Sequence, residues 1–126
     1  SGLLCVHSLP NELSMDDFDL DILDKELTTA DYCGSFGSAF LLVWGRQYSQ
    51  KQIDELSEYW GVSLFCLGHA LVPDGIEALL PNVLRLNSDH DNGVALPIDL
   101  ETIQSAQETA KSAIRLSLVS DNQNEQ

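Results

Sequence analysis

Three short apolar runs between residues 39 and 86 constrain the fold of this chain most strongly. They occupy residues 39–44 (AFLLVW), 62–67 (VSLFCL) and 83–86 (VLRL). Runs of about four to eight such residues, bounded by glycine or proline, are typical of strands buried on both faces. Segments with helix-forming patterns separate the runs. Because strands that alternate with helices are joined by right-handed crossovers, the sequence predicts parallel strands at the centre of the protein.

The connection after the first run carries the clearest helix signals in the chain. Ser49 is a good N-cap, and Gln52 three residues later completes a capping-box pattern. Gly61 is placed to end this helix in the left-handed conformation. Three apolar residues would share its buried face: Ile53, Leu56 and Trp60.

Shorter patterns predict the remaining elements. They are a strand at 3–7, a helix beginning near Met15, a short edge strand around 30–33, a helix between Pro73 and Pro81, and a last helix at 100–116 capped by Asp99. The chain has no internal repeat and no linker, so we expect one domain at 1–118 and a flexible tail at 119–126. This order predicts a three-layer, flavodoxin-like α/β sandwich with a mostly parallel sheet of about five strands.

The charge balance excludes several classes of partner. Twenty acidic residues against six basic ones give a net charge of −14. Nucleic acids and anionic membrane surfaces are bound through Lys and Arg, so we expect neither to bind here. No apolar run is long enough to span a membrane. The acidic surface is interpreted first as a solubilising feature, and second as a surface for a basic partner.

The three cysteines have no zinc-type or redox-motif spacing. Cys5 and Cys66 fall inside predicted strands, where a thiol behaves as a small apolar side chain. We therefore expect reduced cysteines and a cytoplasmic protein.

Residues 93–103 (GVALPIDLETI) resemble the end of a receiver domain of the response-regulator type, where a Lys-Pro pair leads into an acidic, leucine-containing helical turn. The predicted strand–helix order of residues 39–116 is similar to that family as well. The resemblance implies a receiver-like fold and a place in two-component signal transduction.

The family's functional positions hold other residues in this chain. The acidic pair that would hold magnesium after the first strand is replaced by His7 and Ser8. Residues 44–46 (WGR) stand where the phospho-accepting Asp would be, residues 68–69 (GH) replace the family's Ser or Thr, and Leu96 replaces its Lys. Without these carboxylates neither Mg²⁺ nor an aspartyl phosphate is expected. The resemblance therefore implies a degenerate, pseudo-receiver module.

One polar loop has part of a calcium-loop pattern. Asn87, Asp89 and Asp91 alternate as calcium ligands do, but Asn92 and Ile98 occupy the positions that need Gly and Glu. We expect a polar surface loop and no metal.

A thiol hydrolase is an alternative that the sequence leaves open. Cys33 precedes Gly34 in a predicted loop, and His69 or His90 could serve as its base. Sequence alone cannot establish such a pair, because the partners meet only in the folded chain.

These patterns predict a non-catalytic regulatory module that acts by contact with a protein partner or a neighbouring domain, with no cofactor. Strand ends at the carboxyl side of a parallel sheet form the functional crevice of α/β folds. The predicted contact surface consists of six residues there: Trp44, Arg46, Tyr48, His69, Leu96 and Pro97. The alternative outside signalling is a small acidic inhibitor or immunity protein that blocks a basic active site, mimicking nucleic acid.

Overall fold

The computed structural model describes residues 2–117, which contain a mixed, mostly parallel four-stranded sheet with helices. Its strands are β1 (Gly2–Val6), β2 (Val62–Leu67), β3 (Ile76–Leu80) and β4 (Val83–Leu86). The order across the sheet is β1-β2-β4-β3, with β1, β2 and β4 parallel and β3 antiparallel to β4. The strands predicted at 3–7, 62–67 and 83–86 are confirmed. The predicted tail and residue 118 lie outside the described residues.

The connection from β1 to β2 holds most of the helical structure. It contains two 3₁₀ segments (Glu12–Asp17 and Leu20–Leu23), α1 (Thr29–Tyr32), α2 (Ser38–Trp44) and α3 (Gln50–Trp60). The chain after β4 contains β5 (Val94–Ala95), α4 (Ala106–Ala110) and β6 (Ile114–Arg115), and β5 and β6 form a separate antiparallel pair.

Helix α3 begins and ends as its sequence predicts. The Ser49 hydroxyl accepts the Gln52 backbone N–H at 3.2 Å, and Gly61 has φ 64°. Only half of the capping box forms, because the Gln52 side chain donates to the Pro10 carbonyl oxygen at 2.6 Å. Ile53 is fully buried in the core. The hydrogen bond from Gln52 to Pro10 ties α3 to the segment that follows β1.

Both faces of the sheet are buried, as expected of parallel strands. Phe65 and Leu67 of β2 pack on one face with residues of the helical connection, Leu9, Leu41 and Ile53 among them. Leu64, Cys66 and Leu84 pack on the other face, covered by Ala106 and the partly buried Leu96, Ile98 and Ile103. The C-terminal segment therefore forms the third layer.

The prediction of a strand at residues 39–44 was wrong, because this segment is α2. An apolar run of this length cannot be assigned to strand or buried helix by its periodicity alone. In α2 the Leu41 side chain is buried, whereas Val43 and Trp44 are 40% and 54% exposed. Helix α2 packs on one face of the sheet and keeps an exposed side. As a central strand, the same segment would have both of its faces buried.

The helix predicted between Pro73 and Pro81 was also wrong, because residues 76–80 form β3. Leu80 pairs with Val83, so Pro81 and Asn82 make a two-residue hairpin turn into β4. Across the hairpin, Glu77 forms an ion pair with Arg85, its register partner. This edge of the sheet is therefore antiparallel, and the described sheet has four strands where about five were predicted.

The helix predicted from about Met15 is replaced by the two 3₁₀ segments, and the edge strand predicted around 30–33 by α1. Asp side chains compete for backbone hydrogen bonds and favour turns over helix interiors. Asp19 shows this directly by accepting the Asp21 backbone N–H. At α1, Thr28 and Asp31 form the reciprocal capping box that begins the helix.

The last predicted helix, at 100–116, is reduced to the five residues of α4. Asp99 accepts the Glu101 backbone N–H at 2.9 Å, but the chain does not continue into a helix there. The N-cap of α4 is Ser105, whose hydroxyl accepts from the Glu108 N–H. The Ala106 backbone N–H donates to the Pro81 carbonyl, which docks α4 on the β3–β4 hairpin.

Candidate functional site

The parallel strands β1 and β2 deliver two histidines to the same edge of the sheet. Cys5 pairs with Cys66 and Val6 with Leu67 in the strand register. The next residue of each strand continues this alignment, because the Gly68 backbone N–H donates to the His7 carbonyl at 3.1 Å. His7 and the residues after β2 therefore lie at the carboxyl ends of the strands, where α/β folds place their functional crevices.

The two imidazole rings are in direct contact. His7 Nε2 lies 2.6 Å from His69 Nδ1, and the ring centroids are 4.4 Å apart. A hydrogen bond between two imidazoles needs one ring nitrogen with a proton and one without. At least one of the two histidines must therefore be neutral for this pair to form. The other nitrogen of His69, Nε2, is buried and has no hydrogen-bond partner among the described residues.

The backbone at His69 is strained. Its φ is 66°, a left-handed value, and the Ala70 N–H donates to the Gly68 carbonyl at 2.8 Å. A bond between residues two apart around a positive φ is a γ-turn of the rare kind. A non-glycine residue held this way costs about 1–3 kcal/mol, and such residues are concentrated at functional sites.

Trp44 stands beside this pair at the end of α2. Its indole meets the His69 ring edge-on with centroids 5.3 Å apart, and more than half of its surface remains exposed. The end of α2 is fixed to the segment after β1, since the Gly45 N–H donates to the Ser8 hydroxyl at 2.9 Å. The Ser8 side chain is buried, so the anchor that positions Trp44 is shielded from water.

A cavity of about 510 Å³ opens at the same edge and is called the carboxyl-edge cleft. Nine residues line it: Cys5, Val6, His7, Cys66, Leu67, Gly68, Leu86, Leu96 and Ile98. None of these nine is Asp, Glu, Lys or Arg, although the chain as a whole carries a charge of −14. The cleft is thus a mainly aliphatic concavity, free of carboxylate, ammonium and guanidinium groups, in an acidic protein.

Three residues of the predicted contact surface lie at this edge. Trp44 and His69 touch each other, and Leu96 lines the cleft together with His7. The other three residues of the predicted surface, Arg46, Tyr48 and Pro97, do not line the cleft.

Tyr48 supports the end of α2. Its hydroxyl donates to the Gly45 carbonyl at 2.9 Å and accepts the Leu9 backbone N–H at 3.4 Å, and burial raises the pKa of this phenol. Arg46 is exposed, and its backbone N–H donates to the Asn11 side chain. Pro97 lines a separate, smaller cavity.

His7 is the residue of this site that sequence reasoning missed as a partner of His69. The two are 62 positions apart, and only the parallel alignment of β1 and β2 brings them together. Their one sequence signal is that each lies just after an apolar strand, His7 directly after β1 and His69 two residues after the end of β2.

The histidines considered as bases for Cys33 have other partners. His69 Nδ1 is bonded to His7, while His90 lies 2.9 Å from the Val72 carbonyl and accepts the Asn92 N–H. Cys33 is exposed at the C-terminal end of α1. Between residues 2 and 117 no hydrogen bond joins Cys33 to a histidine.

Residues 2–117 contain neither a set of side chains arranged as metal ligands nor a membrane-spanning helix. This part of the chain has no group of three or more His, Cys, Asp or Glu side chains arranged to hold a metal ion. Its helices are all too short or too polar to cross a lipid bilayer.

Comparison with known proteins gives no relative. No protein-family model, no curated protein and no solved structure matches this chain significantly.

Proposed function

We propose that this chain is a non-catalytic regulatory module that acts by protein–protein contact through the carboxyl-edge cleft and the adjoining Trp44–His69 pair. The observation that carries the proposal is that Asp, Glu, Lys and Arg are absent from the nine cleft residues of a protein with a net charge of −14. A solubilising surface has no need of such an exception. A surface that binds an apolar group does.

The dimensions and chemistry of the cleft fit an apolar anchor. A volume of about 510 Å³ accommodates one or two large aliphatic or aromatic side chains. The half-exposed indole of Trp44 is the type of residue that dominates the binding energy of interfaces. The partner is therefore a protein segment with an apolar anchor, and basic residues around the anchor would speed its association with this acidic chain.

We propose a flavodoxin-like, receiver-like sandwich as the finer description of the fold. Three parallel strands covered on both faces support it, while antiparallel β3 and helical α2 depart from it. Trp44 ends α2, and Gly45 and Arg46 follow this helix, so residues 44–46 do not correspond to the end of a central strand. The ends of β1 and β2 carry His7 and His69 and no carboxylates, which supports a module that does not accept phosphate. Three free cysteines support a cytoplasmic location.

The acidic-inhibitor alternative is favoured by a different surface. The residues from the first 3₁₀ segment to α1 include a set of exposed acids: Glu12, Asp16, Asp17, Asp21, Asp24 and Glu26. Binding through this set would weaken steeply with salt, whereas binding of an apolar anchor in the cleft would depend on salt only weakly.

Site-specific photo-crosslinking tests the contact proposal. A photoreactive leucine analogue carrying a diazirine replaces Leu96 in the cleft, and in a control it replaces Leu13, which is 93% exposed elsewhere. In extracts of the producing cells, we expect a discrete adduct from position 96 that position 13 does not give. Adding Trp44→Ala should lower its yield about tenfold or more, as loss of an interface anchor does.

Identical adducts from positions 96 and 13 would contradict the proposal. So would a yield from position 96 that Trp44→Ala leaves unchanged. Adducts formed from position 13 alone, and lost at high salt, would favour the acidic surface instead.

A further inference from the structure

Two cysteines face each other inside the carboxyl-edge cleft. Cys5 of β1 and Cys66 of β2 are register partners, and both line the cavity. Register partners on neighbouring strands project to the same face of a sheet, so the two side chains are immediate neighbours there. Cys5 is exposed and Cys66 is buried. An exposed thiol beside a buried one is an arrangement that the contact proposal does not use.

We propose that Cys5 and Cys66 form an oxidation site in which a hydroperoxide oxidises Cys5 and Cys66 then closes a disulfide between β1 and β2. The site takes a small hydroperoxide, because the cleft is open at Cys5 and lined there by aliphatic side chains. Its regulatory meaning rests on the proposed function, since the disulfide would form within the contact surface itself.

The exposure of the thiols assigns their order of reaction. Cys5 reaches solvent, and His7 lies two residues further along the same strand and lines the same cleft. Burial raises the pKa of the Cys66 thiol to about 12, so this group stays protonated and does not react with peroxide first. Cys66 is instead held in place to attack Cys5 once Cys5 has been oxidised.

The chemistry balances with the hydroperoxide as the oxidant. The Cys5 sulfur attacks the terminal peroxide oxygen, the O–O bond breaks, and the thiol proton ends on the departing oxygen to give an alcohol or water. Cys5 is oxidised to a sulfenic acid as the peroxide is reduced by two electrons. The Cys66 thiol, held next to the oxidised Cys5, then passes its proton to the departing oxygen as its sulfur bonds to the Cys5 sulfur; the S–O bond breaks, and water leaves as the disulfide forms.

The exposure of Cys5 predicts that this disulfide is reversible. Neighbouring strands lie about 4.7–4.9 Å apart, which is inside the Cα separation of about 4.4–6.8 Å that a disulfide allows. Exposed disulfides are more readily reduced than buried structural ones, and Cys5 is exposed. The bond therefore suits a regulatory role better than a structural one.

The positions of Lys and Arg in the sequence allow each cysteine to be followed separately. Trypsin cleavage places the three cysteines in three different peptides: 1–25 with Cys5, 26–46 with Cys33 and 52–85 with Cys66. After treatment of the intact protein with hydrogen peroxide, we expect a loss of about 2 Da and a linked pair of peptides 1–25 and 52–85. Mild dithiothreitol should restore both thiols.

Variants separate this site from general thiol oxidation. Cys33→Ser should form the link as the unaltered chain does, because Cys33 is exposed elsewhere. Cys66→Ser should leave Cys5 as a sulfenic acid that a 1,3-diketone probe traps. Links that involve Cys33, irreversible sulfonic acids without a link, or three unreacted thiols would each overturn the proposal.

These measurements need no partner, so their failure is distinct from failure of the contact proposal. Where the link forms, the photo-crosslinking yield from position 96 should fall severalfold on oxidation and recover on reduction. An unchanged yield would overturn the regulatory part of the inference.

Discussion

Replacing Gly45 by alanine is expected to destabilise the protein by more than about 3 kcal/mol, because the new methyl group overlaps main-chain atoms. An ideal Cβ at Gly45 would lie 1.5 Å from the Leu9 carbonyl oxygen and 2.7 Å from its carbonyl carbon. No rotamer change relieves a collision with backbone. The end of α2 must therefore move away from the segment after β1, and Trp44 must move away from His69 with it.

Urea denaturation followed by circular dichroism measures this loss. Gly34→Ala is the matched control, because Gly34 has φ 68° but no heavy atom within 4 Å of an added Cβ. Its cost is only that of alanine in a left-handed conformation, about 1 kcal/mol. Equal midpoints for the two variants would show that Gly45 does not pack against Leu9.

Trp60→Ala is expected to destabilise the protein by about 2–3 kcal/mol, less than the loss of a fully buried aromatic, because Trp60 is only partly buried against the core. The Trp60 ring packs edge-on against Phe18, with centroids 6.0 Å apart, and its indole N–H donates to the Leu20 carbonyl at 2.7 Å. These contacts join α3 to the 3₁₀ segments. Trp60→Phe keeps much of the ring packing but loses the hydrogen bond to the Leu20 carbonyl. The loss of this bond alone should lower the free energy of unfolding by about 1 kcal/mol.

Trp44→Ala is the matched control for Trp60→Ala, since Trp44 is the other tryptophan of the chain and is 54% exposed. We expect it to change the free energy of unfolding by no more than about 1 kcal/mol. Comparable losses in the two variants would mean that Trp44 is a core residue and is not available for contact.

Local sequence signals were sufficient to predict an element when its N-cap, its apolar face and its C-terminal signal were all present. The Ser49 cap, the apolar face of α3 and the terminal Gly61 act within one segment, so the sequence alone predicts this helix correctly. Strands β1, β2 and β4 were predicted because short apolar runs are typical of buried strands, and β2 is indeed almost entirely buried, whereas β1 is only partly buried.

Tertiary context decided the elements that the sequence could not predict. The apolar run of α2 fits a buried strand as well as a helix lying on a sheet, and only its packing distinguishes them. Residues 76–80 have helical spacing of apolar side chains, but the turn at Pro81 and Asn82 folds them back onto β4. The cleft depends on the pairing of β1 with β2 and on the C-terminal segment that supplies Leu96 and Ile98, so its composition could be predicted only in part.

The proposals on contact and oxidation both require that β1 and β2 run side by side in parallel. This alignment places the His7 ring against the His69 ring, which in turn contacts the Trp44 indole. Nuclear Overhauser spectroscopy measures this arrangement directly in solution. We expect cross-peaks between the ring protons of His7 and His69 and between the His69 ring and the Trp44 indole, whose centroids are 4.4 and 5.3 Å apart. Absence of both sets of cross-peaks in the folded protein would contradict the parallel alignment and the site built on it.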